Sequence, residues 1–298
     1  MAIAFKVQSA TPPETRAAWQ PLVDDLNRKA QLDIAVTAAS QADTLGALAG
    51  GDADLVWLSS SVAIDAVVDA DALVFALYYN VNGANGYKSV IATRADSGIR
   101  ALEEALTPGK WRYASGARGS TSGYVLPQHF LFTPRSTTAE ALFKSFATGG
   151  HFPNLEALWA RQVDVIVCSS TDLAEFGART PGAREGLVTL WESPLVPNDV
   201  LMVRRAMPAV QRQRLADLFL SYGRTQAEKE LFAAASGISY FVAADNRVLE
   251  PVSGFKFAGE RALIEQNAAL DAGQKALRLG VLEQREKKFF AAVGELRK

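Results

Sequence analysis

An alternation of strand-like and helix-like segments limits this chain most. It runs to Arg94, stops, and begins again. IAFKVQ reads as a strand. From Pro13 to Ala30, the residues Trp19, Leu22, Val23, Leu26 and Ala30 fall on one face at helical spacing. Pro21 kinks that helix or sets its start. LDIAVT is a second strand, QADTLGALAGG a short helix ending on glycine, and DADLVWLS a third strand. Ser59 to Ser61 then cap the helix SVAIDAVVDA. LVFALYY and YKSVIATR read as strands. Strands alternating with helices imply a parallel or mixed sheet covered on both faces.

The second cycle has SGIRALEEAL as a helix and KWRYAS as a strand. STTAEALFKSFA and NLEALWARQ follow as helices, VDVIVCS as a strand, TDLAEFGA as a helix and LVTLWES as a strand. After the loop PLVPND, VLMVRR is another strand. The restart divides the chain into an inserted lobe, 95–197, and a discontinuous lobe of 1–94 with 198–298. A length of 298 residues is too much for one comfortable core and suits two. The tail, Gly259 to Lys298, places Leu263, Leu270 and Leu277 at heptad spacing. Two readings stand: an amphipathic helix packed on its own lobe, or a helix that forms a homodimer. Three positions are too few for a coiled coil.

Charge and composition remove several functions. A net charge of −1 would not hold nucleic acid or an anionic membrane. The single cysteine, Cys168, excludes an intramolecular disulfide, and with only His129 and His151 beside it there is no typical structural zinc site. No metal and no cofactor is expected. No apolar run is long enough to span a bilayer. MAIAFKVQSA reads as a strand rather than a signal peptide, as would a chain whose leader had been removed.

GARGSTSGYVLPQHFLF, Gly116 to Phe132, carries the chemistry. Alone, Ser120 reads as an N-cap. Gly123 in the first turn and Pro127 one turn later both weaken a helix. A glycine removes a side chain where something approaches the backbone. With amides at a helix start and three hydroxyls, Ser120, Thr121 and Ser122 make an anion site. No lysine follows Gly123, so this is not a P-loop. Thr121 stands where a nucleophile elbow needs serine. His129 shares the helix with the serines and nothing in the sequence fixes His151 as a base, so no enzyme is expected.

GSTSGYVLP followed by GGH, VDVIV and SPLVPND resembles the phosphonate-type substrate-binding proteins of ABC importers, a family that also holds phosphite and phosphate binders. GGDADLVWLS, YKSVIATRADSGI and MPAVQRQRLADLFLSYG extend the likeness over most of the chain. The resemblance implies the type II periplasmic-binding-protein fold: two α/β lobes joined by two hinge crossovers, with the ligand closed between them. It implies a periplasmic location, a small phosphorus oxyanion as ligand and importer membrane subunits as partners. It assigns the anion oxygens to Ser120, Thr121 and Ser122, further contacts to Tyr87, His151 and Asp199, and the opposite wall to Trp57 and the helix start at Ser59.

Each assigned residue also has a structural reading. Tyr87 suits a buried strand position, His151 a helix start, Asp199 a turn after Pro197 and Trp57 a core; Asp164, which resembles a further position of the family, reads as structural at a strand start. An acid beside an oxyanion has a use, since a carboxylate repels a fully ionised group unless a proton lies between them. Asp199 would then accept from P–OH and reject sulfate. Aminoalkylphosphonate binders of the family place an acid in the inserted lobe. Ser170 and Thr171 stand near that position, and whether Asp172 points inward is open. The family's aromatic position in this stretch has no counterpart in TAASQADTL. The expected ligand is an alkyl- or aminoalkylphosphonate, with phosphite or phosphate as the alternative; an effector domain or an enzyme on the same fold is the rival of another class.

Overall fold

The computed structural model of the protein describes residues 3–9, 13–30, 32–38, 41–81 and 83–295. The first two and last three residues of the expected discontinuous lobe, and Ala39 and Ser40 of TAASQADTL, lie outside them. Thirteen strands are described: β1 Ile3–Ser9, β2 Leu32–Ala38, β3 Leu55–Leu58, β4 Ala72–Asn80, β5 Gly86–Tyr87, β6 Ser89–Arg94, β7 Arg112–Ser115, β8 Ser145–Thr148, β9 Val165–Ser169, β10 Leu187–Glu192, β11 Val196–Pro197, β12 Val200–Arg204 and β13 Ile238–Ala243.

The chain divides into two units. The first holds Met1–Gly86, Pro197–Pro251 and Gln284–Lys298; the second holds Tyr87–Val196 and Val252–Glu283. At two of the four places where the chain passes from one unit to the other, β5 and β11 pair as a two-stranded ribbon. The crossing expected at Arg94 falls inside a strand of the second unit. β6 is bonded to both β9 and β10, which fixes it there.

The first unit is built on a sheet of order β13-β4-β12-β3-β1-β2. β1 runs parallel to β2 and β3, whereas β12 pairs antiparallel with β3 and β4. The expected helical face of Pro13–Ala30 is buried at Trp19, Leu22, Val23 and Leu26, packed with Leu55, Trp57 and Leu201. Pro21 lies inside that helix, not at its start.

The second unit has the order β10-β6-β9-β7-β8. Its strands show why period-two alternation covers both faces. Ile91, Val165 and Val167 join one core with Tyr113 and Phe132, while Val90, Ala92, Ile166 and Cys168 join another with Leu155 and Leu158. Asp164, just before β9, accepts from the backbone and guanidinium of Arg112 at 2.7–2.9 Å, pinning β7 to β9.

Three expected helices are corrected: SGIRALEEAL is helical only at Leu102–Ala105. STTAEALFKSFA is helical only at Ala139–Leu142, and Ser145–Thr148 pairs with β7 as an edge strand. The tail forms two helices, Glu250–Gln266 and Ala272–Gly294. Leu270 sits in the break between them, so the heptad that would have carried a homodimer does not run along one helix. Among the described residues, no helix is long and apolar enough to cross a membrane.

Candidate functional site

The segment after β7 winds wider than an α-helix. Thr121–Val125 and Gln128–Phe132 are π-helical turns. The carbonyl of Ser120 accepts from Tyr124 and Val125 at 3.1 and 3.0 Å. Pro127 explains part of this. It has no N–H to give the carbonyl four residues back, which is that of Gly123. That carbonyl accepts instead from Gly116 N and Ser115 Oγ, both at 3.0 Å. Gly123 must be glycine because the backbones touch: a Cβ there would lie 2.7 Å from Gly116 Cα and 2.8 Å from Ser120 Oγ. Both breakers therefore serve the wide turn itself, and the approach that glycine permits is by the chain, not shown to be by a ligand. Ser120 caps the helix, its hydroxyl accepting from Gly123 N at 3.0 Å. Insertions of this kind occur often at functional sites.

The hydroxyl of Ser122 meets His151. Ser122 Oγ lies 3.3 Å from His151 Nε2, and His151 Nδ1 lies 2.6 Å from Asp172 Oδ2. His151 opens the helix His151–Trp159, and Asp172 stands in the first turn of the helix Ser170–Arg179. Ser169 locks that turn: its Oγ accepts from Asp172 N at 3.0 Å and donates to Asp172 Oδ2 at 2.7 Å. Burial alone would raise the Asp172 carboxyl; the bonds from His151 and Ser169 outweigh it, and the group sits below the usual carboxylate range. The expectation that nothing fixes His151 is overturned. Asp172 fixes it.

The same unit holds Thr121, Tyr87 and Thr171. Thr121 is buried. Tyr87, buried in β5, is followed by Lys88, whose backbone exchanges bonds with Ser170 at 2.8 and 3.0 Å. Ser89 donates to the carbonyl of Ser122 at 2.6 Å. This run ties the Ser122 turn and the Ser170 helix start to adjacent residues, Ser89 at the start of β6 and Lys88 just before it. Thr171 is half-buried in the first turn of that helix. His129 lies on the wide helix against Phe130 and Phe255, its imidazole lowered by burial. Burial pushes the Cys168 thiol up, so it is no nucleophile.

In the first unit the structure brings Trp57 and Asp199 together. Trp57 Nε1 donates to Asp199 Oδ2 at 3.2 Å, and the ring packs against Trp19 and Tyr78 at 5.2 and 5.0 Å between centroids. Trp57 is thus a core residue that also holds an acid. Asn198 fixes the turn, its Nδ2 donating to Tyr78 O at 2.9 Å and Ala84 O at 3.2 Å. Ser59 occupies the N-cap position of Ser60–Asp69, but its side chain makes no cap bond, contrary to expectation. Ser60 Oγ donates to the Pro197 carbonyl at 3.4 Å.

Asp172 is the residue that sequence reading left open. Ser169-Ser170-Thr171-Asp172 has the S-x-x-D spacing of a helix start, so its place in the first turn was legible, but the pairing with His151 is tertiary. Among the described residues, no cluster of three His, Cys, Asp or Glu could hold a metal.

Residues 7–249 match the model of a family described as ABC transporter, phosphonate, periplasmic substrate-binding protein. The chain is 27% identical over 273 residues to the phosphonates-binding periplasmic protein of Escherichia coli K12, covering 90% of this chain and 80% of that one. A crystal structure of a binding protein component of a Pseudomonas aeruginosa ABC phosphonate transporter superposes with a TM-score of 0.87 at 25% identity, covering all of both chains. A Prochlorococcus marinus protein in complex with methylphosphonate gives 0.73 at 14% identity, over 85% of this chain and 96% of that one, a likeness of fold alone. With its two α/β units, the chain has the type II periplasmic-binding-protein fold and belongs to the family of phosphonate substrate-binding proteins of ABC transporters.

Proposed function

We propose that the protein captures an alkylphosphonate or aminoalkylphosphonate in the periplasm and delivers it to the membrane subunits of an ABC importer. The supporting observation is the Ser122–His151 contact at the start of the wide helix, at 3.3 Å. Hydroxyls and first-turn amides there offer donors to an oxyanion, and Ser120, Thr121, Ser122, His151 and Tyr87 are the proposed contacts in the second unit, with Thr171 beside them. Asp199, held by Trp57, is proposed as the residue that reads the ligand's remaining proton, with Ser59 as a further contact.

A calorimetric panel of methylphosphonate, 2-aminoethylphosphonate, phosphite, phosphate and sulfate tests this. Phosphonates should bind best and sulfate worst. Tighter binding of phosphite or phosphate would move the assignment within the family, and equal binding of sulfate would remove it. In Asp199→Asn, sulfate rejection should weaken and the loss of phosphonate affinity at rising pH should flatten. A profile identical to wild type leaves Asp199 as a turn residue. The Ser122, His151 and Asp172 line also has the order of a nucleophile, base and orienter. A burst of p-nitrophenol from p-nitrophenyl acetate, lost in Ser122→Ala, would support an enzyme instead.

A further inference from the structure

Counting protons along the Ser122–His151–Asp172 line carries one step further. An ionised carboxylate only accepts, so the 2.6 Å contact places a proton on His151 Nδ1. The other ring nitrogen, Nε2, faces the Ser122 hydroxyl at 3.3 Å. That hydroxyl has one proton to donate. Without ligand it can satisfy a bare Nε2. An oxyanion seated on Ser122 takes that proton as a donor bond, which leaves a bare Nε2 lone pair next to an anion.

We infer that ligand binding is coupled to uptake of one proton from solvent at His151 Nε2, and that Asp172 is the positioning residue that makes this possible. The proton converts the ring to an imidazolium, which donates at Nε2 towards the anion and at Nδ1 to Asp172. Ser169, bonded to both the amide and the carboxylate of Asp172, keeps the acceptor in place. The inference rests on the phosphonate reading of the site.

The elements packed against the helix of His151 carry further titratable groups, most of them with partners of their own. β9 brings Cys168, uncharged through burial. The helix Ser170–Arg179 brings Glu175 and Arg179, which pair with each other at 2.5 Å, Arg179 lying over the Phe152 ring. β6 brings Arg94, bonded to Asp96 at 2.9 Å. The helix of His151 itself adds Glu156, and the wide helix adds Tyr124, a phenol raised by burial.

The test is methylphosphonate calorimetry in buffers of different ionisation enthalpy, which counts protons. Wherever the ligand-free ring is neutral, wild type should take up one proton more per bound ligand than His151→Gln. His151→Gln should lose that uptake; whatever remains belongs to the ligand. Asp172→Asn should bind at least about tenfold more weakly and take up less, about the loss of one charge-assisted bond, and Asp172→Glu should recover part of both. With only two histidines in the chain, imidazole nitrogen spectra give a direct readout: both nitrogens of His151 protonated in the complex, and the Nδ1 proton signal of the free protein displaced in Asp172→Asn. Binding without proton uptake, or uptake and pH profile unchanged in Asp172→Asn, overturns this inference and leaves the phosphonate reading standing. Binding of neither methylphosphonate nor 2-aminoethylphosphonate by wild type overturns both.

Discussion

Two helix starts in this protein carry nearly the same sequence and do different things. Ser59-Ser60-Ser61 opens a regular helix, and Ser120-Thr121-Ser122 opens a wide one. At the first, Ser59 makes no cap bond through its side chain, Ser60 donates to a carbonyl, and the turn continues into the buried Val62, Ala63 and Ile64. At the second, Ser120 caps Gly123, and Ser122 meets a histidine that is itself held by an acid. A run of hydroxyls is therefore not the signal. The wide winding at Gly123 and Pro127, together with a tertiary partner for the last hydroxyl, distinguishes the proposed anion cradle from the regular helix start.

The largest expected effect separates the two starts directly. Ser120→Ala with Ser122→Ala should cost at least about tenfold in methylphosphonate affinity, since charge-assisted hydrogen bonds are worth about 1.5–3 kcal/mol each. Calorimetry with unchanged affinity would take this segment out of the site. Glycine replacement sharpens the contrast in stability. Gly123→Ala forces a Cβ into the Gly116 backbone and should destabilise by about 1–3 kcal/mol. Gly46→Ala, in the helix Gln41–Gly50 with open space around it, should stabilise by about 0.5–1 kcal/mol. Denaturant midpoints moving the same way in both variants would contradict the close approach. Ser60→Ala should cost about 0.5–1.5 kcal/mol for its bond to the Pro197 carbonyl.

A double-mutant cycle reads the wide turn more finely. Ser115→Ala removes a donor to the Gly123 carbonyl, and that loss should be smaller in a Pro127→Ala background, where residue 127 regains an N–H. A coupling of about 0.5 kcal/mol or more is expected; strict additivity would mean that Pro127 does not shape the turn. The smallest effect is acid sensitivity. The folded Asp172 carboxyl lies below its ordinary value, so its contribution to stability is present above the unfolded value and is lost as pH falls through the folded one. Asp172→Asn should flatten the acid limb of the stability curve, and an unchanged limb would mean that the dyad contributes nothing.

Much of this was legible before any coordinates. The apolar spacing of Trp19, Leu22, Val23 and Leu26 located a helix face, and the restart after Arg94 signalled a second sheet. Other features were not legible, for definite reasons. Ser145–Thr148 follows helix-forming residues and becomes a strand only because β7 offers an edge. Gly116 and Gly123 each look like loosening residues until their backbones meet. His151 and Asp172 lie on different helices, so no local spacing connects them. The serine run was visible, but its winding depended on a carbonyl bonded by Ser115 and Gly116, outside the helix.

Amide and imidazole NMR of the labelled protein titrated with methylphosphonate tests the cradle most directly. The largest shifts should fall on the amides of Thr121, Ser122 and Gly123 and on the His151 ring, saturating at one ligand per chain. Saturable binding that leaves those four signals unmoved would place the anion elsewhere and contradict the assignment of this helix start.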